Sequence, residues 1–271
     1  MENLELSSLS VARQARKSVV AMTHRARAAH TGSSLSLIDL LSVIYTKFFH
    51  TGERFELRNH VFVSKGHAAA GTYAVMAHSG QFDVSLLDSY GSDGAPLGGH
   101  VTKNPLTGVE LSTGSLGHAL PYAVGVAHAH SLRNQSNLTF VVLSDGECDE
   151  GSNWEAALVA GHLKLSNLVV CIDRNYLQSM KSTEDTIALE PLDKKWESFG
   201  WMVHKVNGHN HLEISAALEV AVKNESQPSV LICDTVKGKG ISFMENEVIW
   251  HYRPPSESDL SKALAEIDGD K

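Results

Sequence analysis

The sequence predicts an α/β protein built on a doubly wound, mostly parallel sheet with helices on both faces. Residues 138–143 and 168–172 are continuously apolar and rich in β-branched side chains, which is typical of strands buried on both faces. Between them, residues 154–164 have helical spacing and contain good helix formers. A strand, a helix and a strand in this order favour a parallel pair joined by a crossover helix.

The composition indicates an ordinary globular protein. The chain has 271 residues, of which 42% are hydrophobic and 20% charged, so we expect one α/β domain over residues 1–271. A net charge of −8 without a clustered Lys/Arg face argues against nucleic-acid binding. No apolar run approaches the roughly 20 residues of a membrane span, and the N-terminus lacks the pattern of a signal peptide. Three scattered cysteines, Cys148, Cys171 and Cys233, fit a reducing cytoplasm and a packing role.

The first half of the chain shows helical spacing, one short strand and a long loop. Residues 4–29 predict an amphipathic helix with a solvated basic face, and residues 35–49 a second helix after a break at 30–34. Residues 61–64 predict a strand, followed by a helix of small residues after 65–67. Residues 91–110 are dense in Gly and Pro, which indicates an ordered and functional loop.

The second half continues the α/β alternation. A helix of small and apolar residues is expected up to about residue 132, beginning near 119. Residues 196–207 contain a helix end and then a strand, and residues 211–223 predict an amphipathic helix. Residues 230–235 predict another buried strand, and its glycine-lysine turn at 236–240 should lie at the same sheet edge as the other strand ends.

Polar residues follow the two buried strands first described. Asp145 comes after residues 138–143, and Asn175 after residues 168–172. Since parallel neighbours present their carboxyl ends to one edge, the two side chains can share a ligand. One carboxylate and one amide oxygen suit Mg²⁺ that is mostly ligated by phosphate oxygens. A helix-capping Asp and a turn Asn are the alternative interpretation, since turns favour both residues.

The segment around these residues resembles the thiamine diphosphate motif of the transketolase family. Its features are an Asp-Gly turn, a Glu-Gly shortly after, a Trp-Glu-Ala helix start and an Asn about thirty residues later. The resemblance implies that Asp145, the Asn175 side chain and the Leu177 carbonyl hold Mg²⁺, with Gly146 against the diphosphate. Ser144 stands where the family usually has glycine, so a side chain occupies a place where backbone approaches phosphate.

Two more stretches resemble motifs of the same family. HTGSSLS at 30–36 is similar to the His-Pro-Gly loop, which implies that His30 contacts the donor sugar or cofactor intermediate and that Ser33 lies at the substrate and cofactor. SKGH at 64–67 is similar to Ser-x-Gly-His, which implies that His67 lies beside the diphosphate. His100 matches a substrate-facing histidine. The alternatives are a surface histidine in a loop and a histidine at a helix start.

The remaining matches lie on either side of the central segment. TGSLGHA at 113–119 resembles Thr-Gly-Ser-Leu-Gly-Gln-Gly, which implies that the cofactor rings are lined by Gly114, Ser115 and Leu116. Core packing is the alternative for this stretch. By resemblance, Glu150 belongs to an acidic chain between two active sites at a dimer interface, although it could instead cap the following helix. Lys237 would reach the diphosphate and His251 the donor substrate, or the turn lysines could simply be solvated.

The resemblance implies the amino-terminal subunit of a split transketolase, which moves a two-carbon ketol unit from a ketose to an aldose with thiamine diphosphate and Mg²⁺. A full transketolase also has a pyrimidine-binding domain with the activating glutamate. We therefore expect a second subunit carrying that domain, an α2β2 assembly, sugar or sugar phosphate substrates and a cytoplasmic location. The alternatives are the α subunit of a 2-oxoacid dehydrogenase, a deoxyxylulose phosphate synthase-like enzyme, or a non-catalytic α/β interaction module.

Overall fold

The computed structural model describes residues 2–49 and 58–269, and their side chains from residue 7 onward. The chain forms two compact units whose segments alternate along the sequence. Unit 1 contains Met1–Lys47, Gly66–Gly114 and Thr235–Lys271, and unit 2 contains Phe48–Lys65 and Ser115–Asp234. The single domain expected over residues 1–271 stays a prediction.

Unit 2 is built on a parallel sheet. Over the described residues its strands are β1 His60–Val63, β2 Thr139–Ser144, β3 Leu168–Arg174, β4 Met202–Asn207 and β5 Ser229–Asp234. The strand order is β1-β2-β3-β5-β4, and every neighbouring pair is parallel. β2 and β3 are buried along their whole length, as expected from the apolar runs that form most of each strand. The predicted α/β fold is confirmed, with a sheet that is parallel throughout.

Unit 2 also contains helices. They are α5 Ala119–Leu132, α6 Gly151–His162, α7 Thr183–Thr186, α8 Leu192–Ser198 and α9 His211–Lys223. α5 contacts β1, β2, β3 and α6, whereas α8 and α9 cover the edge strand β4. The side chain of Trp196 is fully buried, and its ring centroid lies 4.8 Å from that of Trp201 and 5.4 Å from that of Trp154. These aromatic contacts join α6, α8 and the start of β4 in one apolar core.

Unit 1 is helical in its regular parts. Its helices are α1 Glu2–Arg25, α2 Thr31–Ser36, α3 Ile38–Lys47, α4 Ala69–His78 and α10 Glu257–Asp268. α1 packs against α3, α4 and α10. Its basic residues are not all merely solvated as predicted, because Arg16 Nη2 lies 2.5 Å from Asp39 Oδ2. Arg13 and Lys17 both pair with Asp268 and thereby attach α1 to α10.

The N-terminal half departs from the sequence-based expectation at the end of α1, which stops at Arg25 rather than at residue 29, and in the segment after it. Residues 35–49 were expected as one helix after an irregular break, but α2 already begins at Thr31 and ends at Ser36, before α3. His30 precedes α2 with φ of 69°, in the left-handed region, and turns the chain into this helix. Every residue of α2 is buried, so tertiary packing stabilises a segment of Thr, Gly and Ser that has little helix propensity.

Two sequence-based expectations concern the environment of the chain. No helix within residues 2–49 and 58–269 is both long and apolar enough to cross a membrane. The three cysteines are free and buried, and burial raises the pKa of the Cys171 thiol to about 12. These thiols therefore act as packing groups. The cytoplasmic location stays a prediction.

Candidate functional site

The carboxyl ends of β2 and β3 place two of the predicted metal ligands in unit 2. The strand register pairs Ser144 with Asp173, so the chain leaves the sheet at the same level on both strands. The Asp145 carboxylate accepts the N–H of Gly146 through Oδ1 at 2.8 Å and the N–H of Tyr176 through Oδ2 at 2.7 Å. Asp145 is therefore bound directly to the segment that contains Asn175.

The Asp145 carboxylate lies in an electrostatically unfavourable place. Its side chain is buried, and desolvation, followed by the nearby charge of Asp173, raises its pKa to about 6. The guanidinium of Arg174 opposes this shift, with Nη1 3.4 Å from Asp145 Oδ2, as do the two backbone N–H donors. Since the net shift remains upward, the ionised carboxylate has less compensation than it has in water. A bound cation would supply the missing compensation.

Both residues also have the local roles of the alternative interpretation. Asp145 caps the 3-10 helix Gly146–Asp149. Asn175 Oδ1 accepts the N–H of Leu177 at 3.2 Å, and Asn175 Nδ2 points to Asp173 Oδ2 at 3.5 Å. An amide or carboxylate oxygen has two lone pairs, so one such bond leaves room for a metal at the same atom. Turn stabilisation and metal binding are compatible here.

Buried charges that no local sequence pattern indicates surround this strand edge. Lys65 Nζ contacts Asp173 Oδ2, with side-chain exposures of only 1% and 0%. The Arg174 side chain is 1% exposed and also pairs with Glu184 and Glu190, at 2.9 and 3.0 Å. The only sequence signal was that these residues flank the apolar strands. Their partners became visible only in the folded chain.

Ser115 and Leu116, which are expected to line the cofactor rings, lie in a loop beside the turn formed by Asp145 and the 3-10 helix Gly146–Asp149. We call this second element the Asp145 turn. Ser115 is exposed, Leu116 is half-buried, and Gly117 is buried with φ of 81°. Glu150 is exposed at the N-cap position of α6, and its side chain makes no capping hydrogen bond. Glu150 thus stands where a carboxylate can interact with the helix dipole, as the alternative interpretation has it, and its role in an acidic chain stays a prediction. Gly146 is closely packed, because a Cβ there would lie 2.8 Å from Gln178 Cγ.

Unit 1 brings all four histidines of the predicted site together. The ring centroid of His30 lies 5.4 Å from that of His67, 5.7 Å from that of His100 and 4.9 Å from that of His251. The rings of His67 and His251 are 5.5 Å apart. These four residues come from four separate segments, and we call them the histidine cluster. Imidazoles at this spacing can hydrogen-bond several hydroxyls of one polar ligand.

Two further predicted residues contact the histidine cluster. Lys237 Nζ lies 3.2 Å from His251 Nδ1, and Ser33 Oγ lies 3.3 Å from the same atom. Lys237 is 2% exposed, so the alternative of a freely solvated lysine is wrong. The backbone N–H of His30 donates to the carbonyl of His251 at 3.0 Å, which fixes the left-handed turn before α2 beside the C-terminal segment.

Close backbone packing supports the cluster from one side. A Cβ on Gly66 would lie 2.3 Å from the Thr113 carbonyl oxygen, and a Cβ on Gly114 would lie 3.1 Å from His100 Cδ2. The Gly66 carbonyl also accepts the N–H of Val101 at 3.0 Å. Glycine is thus required where the SKGH stretch meets the following loop.

The described residues offer no all-protein metal cage. Among them, no group of three or more His, Cys, Asp or Glu side chains is arranged to hold a metal ion. The predicted set is of a different kind, because it combines one carboxylate, one amide oxygen and one backbone carbonyl. These hard oxygen donors, beside a buried carboxylate of raised pKa, fit Mg²⁺ that takes its remaining ligands from phosphate.

Known proteins resemble this chain over almost its whole length. Residues 8–267 match the family described as "Transketolase, thiamine diphosphate binding domain". An apulose-4-phosphate transketolase subunit from Actinobacillus succinogenes is 38% identical over 255 residues, covering 93% of this chain and 92% of that protein. The 6-deoxy-6-sulfo-D-fructose transketolase subunit of a Clostridium species is 36% identical and covers 88% of both chains.

A solved structure shows the same fold. The transketolase of Campylobacter jejuni superposes with a TM-score of 0.87 at 26% identity, and the match covers 99% of this chain. The match covers only 43% of the Campylobacter chain, so this chain spans less than half the length of that transketolase.

Proposed function

The chain belongs to the transketolase family, and from this premise we propose that it is the thiamine diphosphate-binding subunit of a two-chain transketolase. The proposed reaction moves a two-carbon ketol unit from a ketose to an aldose. Thiamine diphosphate, when bound, supplies the thiazolium ring that stabilises the carbanion of this transfer. The chain's own residues bind and orient the cofactor and substrates and move protons at substrate oxygens.

One observation carries this proposal: the buried Asp145 carboxylate lies against the segment of Asn175 and Leu177 and has a pKa raised to about 6. We propose that the Asp145 carboxylate, the Asn175 amide oxygen and the Leu177 carbonyl hold Mg²⁺, and that Gly146 lies against the diphosphate. Mg²⁺ would compensate the desolvated carboxylate and would neutralise part of the diphosphate charge.

The other residues of unit 2 have supporting roles in the proposal. Ser115 and Leu116 would contact the rings of the cofactor, because the exposed and half-buried positions of these side chains leave them accessible. Glu150, exposed before α6, would belong to an acidic chain shared with a second active site. Carboxylates in such a chain share protons, since neighbouring like charges raise one pKa.

In unit 1 the histidine cluster would bind and orient the sugar. His30, His100 and His251 would hydrogen-bond donor hydroxyls and carry protons, since imidazole both donates and accepts near neutral pH. His67 and the buried Lys237 would contact the diphosphate, and Ser33 and Gly114 would complete the cofactor contacts.

We propose that a second polypeptide completes the enzyme. Two relatives are named as transketolase subunits, and this chain spans 43% of a solved transketolase. The partner would carry the pyrimidine-binding domain and the activating glutamate, in an α2β2 assembly. The names of the same relatives, apulose-4-phosphate and 6-deoxy-6-sulfo-D-fructose transketolase subunits, point to a sugar or sugar phosphate as substrate.

The metal assignment is tested by binding. Thiamine diphosphate is titrated into the chain with and without Mg²⁺, alone and mixed with the partner. Asp145→Ala should abolish Mg²⁺-dependent binding, because losing a charged metal ligand costs a few kcal/mol. Asp193→Ala is the matched control, since Asp193 pairs with Lys205 at the surface of unit 2. Unchanged affinity in Asp145→Ala would refute the metal site.

The partner requirement is tested by turnover. The purified chain is incubated with thiamine diphosphate, Mg²⁺ and candidate ketose and aldose phosphates, and exchange products are measured before and after the partner is added. We expect products only in the mixture, because no group in the proposed site of this chain has the role of the activating glutamate. Turnover by the single chain would refute the two-chain proposal, and absence of cofactor binding by the mixture would favour a non-catalytic interaction module.

A further inference from the structure

Glu147 lies two residues after Asp145, and the roles proposed above do not use it. Its side chain is fully buried in the 3-10 helix Gly146–Asp149. Glu147 Oε1 accepts the hydroxyl of Ser64 and the N–H of Gly117, the latter at 2.9 Å. Its Oε2 accepts the N–H of Ser144 at 3.2 Å. One carboxylate thus joins the end of β1, the loop after residue 114 and the end of β2.

The loop is held through both backbone groups of Gly117. While the Gly117 N–H donates to Glu147, the Gly117 carbonyl accepts the hydroxyl of Ser152 at 2.6 Å. A Cβ at Gly117 would lie 2.6 Å from Ser152 Oγ and 2.7 Å from Glu150 Cβ, so the loop and the turn are in close contact. Because both backbone groups of Gly117 are bound, the loop cannot shift without breaking these bonds or moving the turn.

The Asp145 turn and the loop of Ser115, Leu116 and Gly117 are proposed to bind different ends of the cofactor. The Asp145 turn would hold the metal and diphosphate, and Ser115 and Leu116 would contact the rings. We propose that Glu147 is a positioning residue that keeps the loop of Ser115, Leu116 and Gly117 in register with the Asp145 turn. This inference rests on the proposed function. As a consequence, ligand binding at the Asp145 turn orders the loop, and ligand binding at the loop stabilises the bound form of the turn.

A carboxylate is specifically suited to this task. The two carboxyl oxygens of Glu147 accept three hydrogen bonds, and the three donors are a hydroxyl and two backbone N–H groups. In Glu147→Leu both oxygens are lost, so the N–H groups of Gly117 and Ser144 lose their acceptor. The variant keeps a side chain of similar volume while it removes the hydrogen bond between the Asp145 turn and the loop.

The test compares two ligands of the full chain by calorimetry. Mg²⁺ with inorganic pyrophosphate probes the Asp145 turn, and Mg²⁺ with thiamine diphosphate probes the turn and the loop together. Glu147→Leu should weaken thiamine diphosphate about tenfold, the loss expected for the one buried hydrogen bond that joins the loop to the turn, and leave pyrophosphate nearly unchanged. Hydrogen exchange of residues 115–118 should slow when Mg²⁺ and pyrophosphate bind the wild type, but not when they bind the variant.

The outcomes separate positioning from mere stabilisation. Asp149→Asn is the matched control, because Asp149 lies in the same turn but accepts a hydrogen bond from Gln178 Nε2 at 2.6 Å. It should retain both affinities. If Glu147→Leu does not fold, Ser152→Ala should show the same selective loss through the Gly117 carbonyl. Equal weakening of both ligands, or of neither, overturns the inference. A wild-type chain that binds neither ligand overturns the proposed function itself.

Discussion

Lys65→Met should show how strongly the buried charges of unit 2 depend on one another. Lys65 and Asp173 form an ion pair with side-chain exposures of 1% and 0%. Methionine has a similar length and no charge, so the substitution leaves the Asp173 carboxylate buried without this cation. Asp173 already raises the pKa of Asp145, and the variant would retain both carboxylates in the same interior.

The magnitude follows from the burial of the pair. Removing one partner of a buried ion pair costs about 3 to 5 kcal/mol, because an uncompensated charge remains. For a chain of this size, 1 kcal/mol corresponds to about 2 to 4 °C in Tm, so we expect a loss of about 6 to 20 °C. Burial beside Asp173 already raises the pKa of Asp145 to about 6, so this carboxyl group binds a proton more tightly in the folded state than in the unfolded state. The free energy of unfolding therefore falls as pH rises through this pKa. Because Lys65→Met leaves both carboxylates in the interior, the loss of stability in the variant should be larger at pH 8 than at pH 5.

The assay is thermal and urea unfolding at both pH values. Combining Lys65→Met with Asp173→Asn removes the remaining charge of the pair and should restore most of the stability. Lys194→Met is the surface control and should have no measurable effect, because the exposed pair with Glu197 is screened by water. The reasoning is refuted if Lys65→Met unfolds like the wild type at pH 8, or if the double variant is no more stable than the single one.

Three other substitutions have directional outcomes. Ser144→Gly should tighten thiamine diphosphate modestly in a titration, since it removes a side chain beside the Asp145 turn; weaker binding would show that the hydroxyl donates a useful bond. Gly66→Ala should lower Tm strongly, because a Cβ 2.3 Å from a backbone oxygen has no room, whereas Gly125→Ala meets open space and should not lower it. Desolvation holds the pKa of His78 below 6.5, so its contribution to stability is present above pH 6.5 and lost on acidification. His78→Gln should flatten this part of the pH profile, and exposed His162→Gln should not.

The strands and helices of unit 2 could be predicted because a strand that is buried on both faces of a sheet has a continuously apolar local sequence. The apolar runs at 138–143 and 168–172 lie within the observed strands β2 and β3 to within one residue, and α9 has the predicted bounds. α10 was missed although Ser256 and Asp259 form a capping box ahead of an amphipathic stretch, a signal that the sequence does contain. α2 had no such signal, since packing rather than propensity stabilises it.

The positions of site residues could be predicted only where these residues directly follow an apolar strand. Asp145 and Asn175 follow apolar strands that had to be neighbours, so their proximity could be inferred. Lys65 and Asp173 are 108 residues apart, and no local pattern encodes such a pairing. Glu147 was equally hidden, because an acid after an Asp-Gly turn is ordinarily solvated. Buried charges depend on partners that only the folded chain brings together.

The strand order has a consequence for how the protein is made. Among the strands of the described residues, β5 is the last to be synthesised and lies between β3 and β4, and β4 has only β5 as a neighbour in the sheet. Until Ser229–Asp234 leaves the ribosome, β3 presents an open edge and β4 cannot join the sheet. The late insertion of β5 covers the open edge of β3 and allows β4 to join the sheet. Nascent chains that stop before residue 229 should therefore be the aggregation-prone species, and they are the ones that chaperones would have to protect.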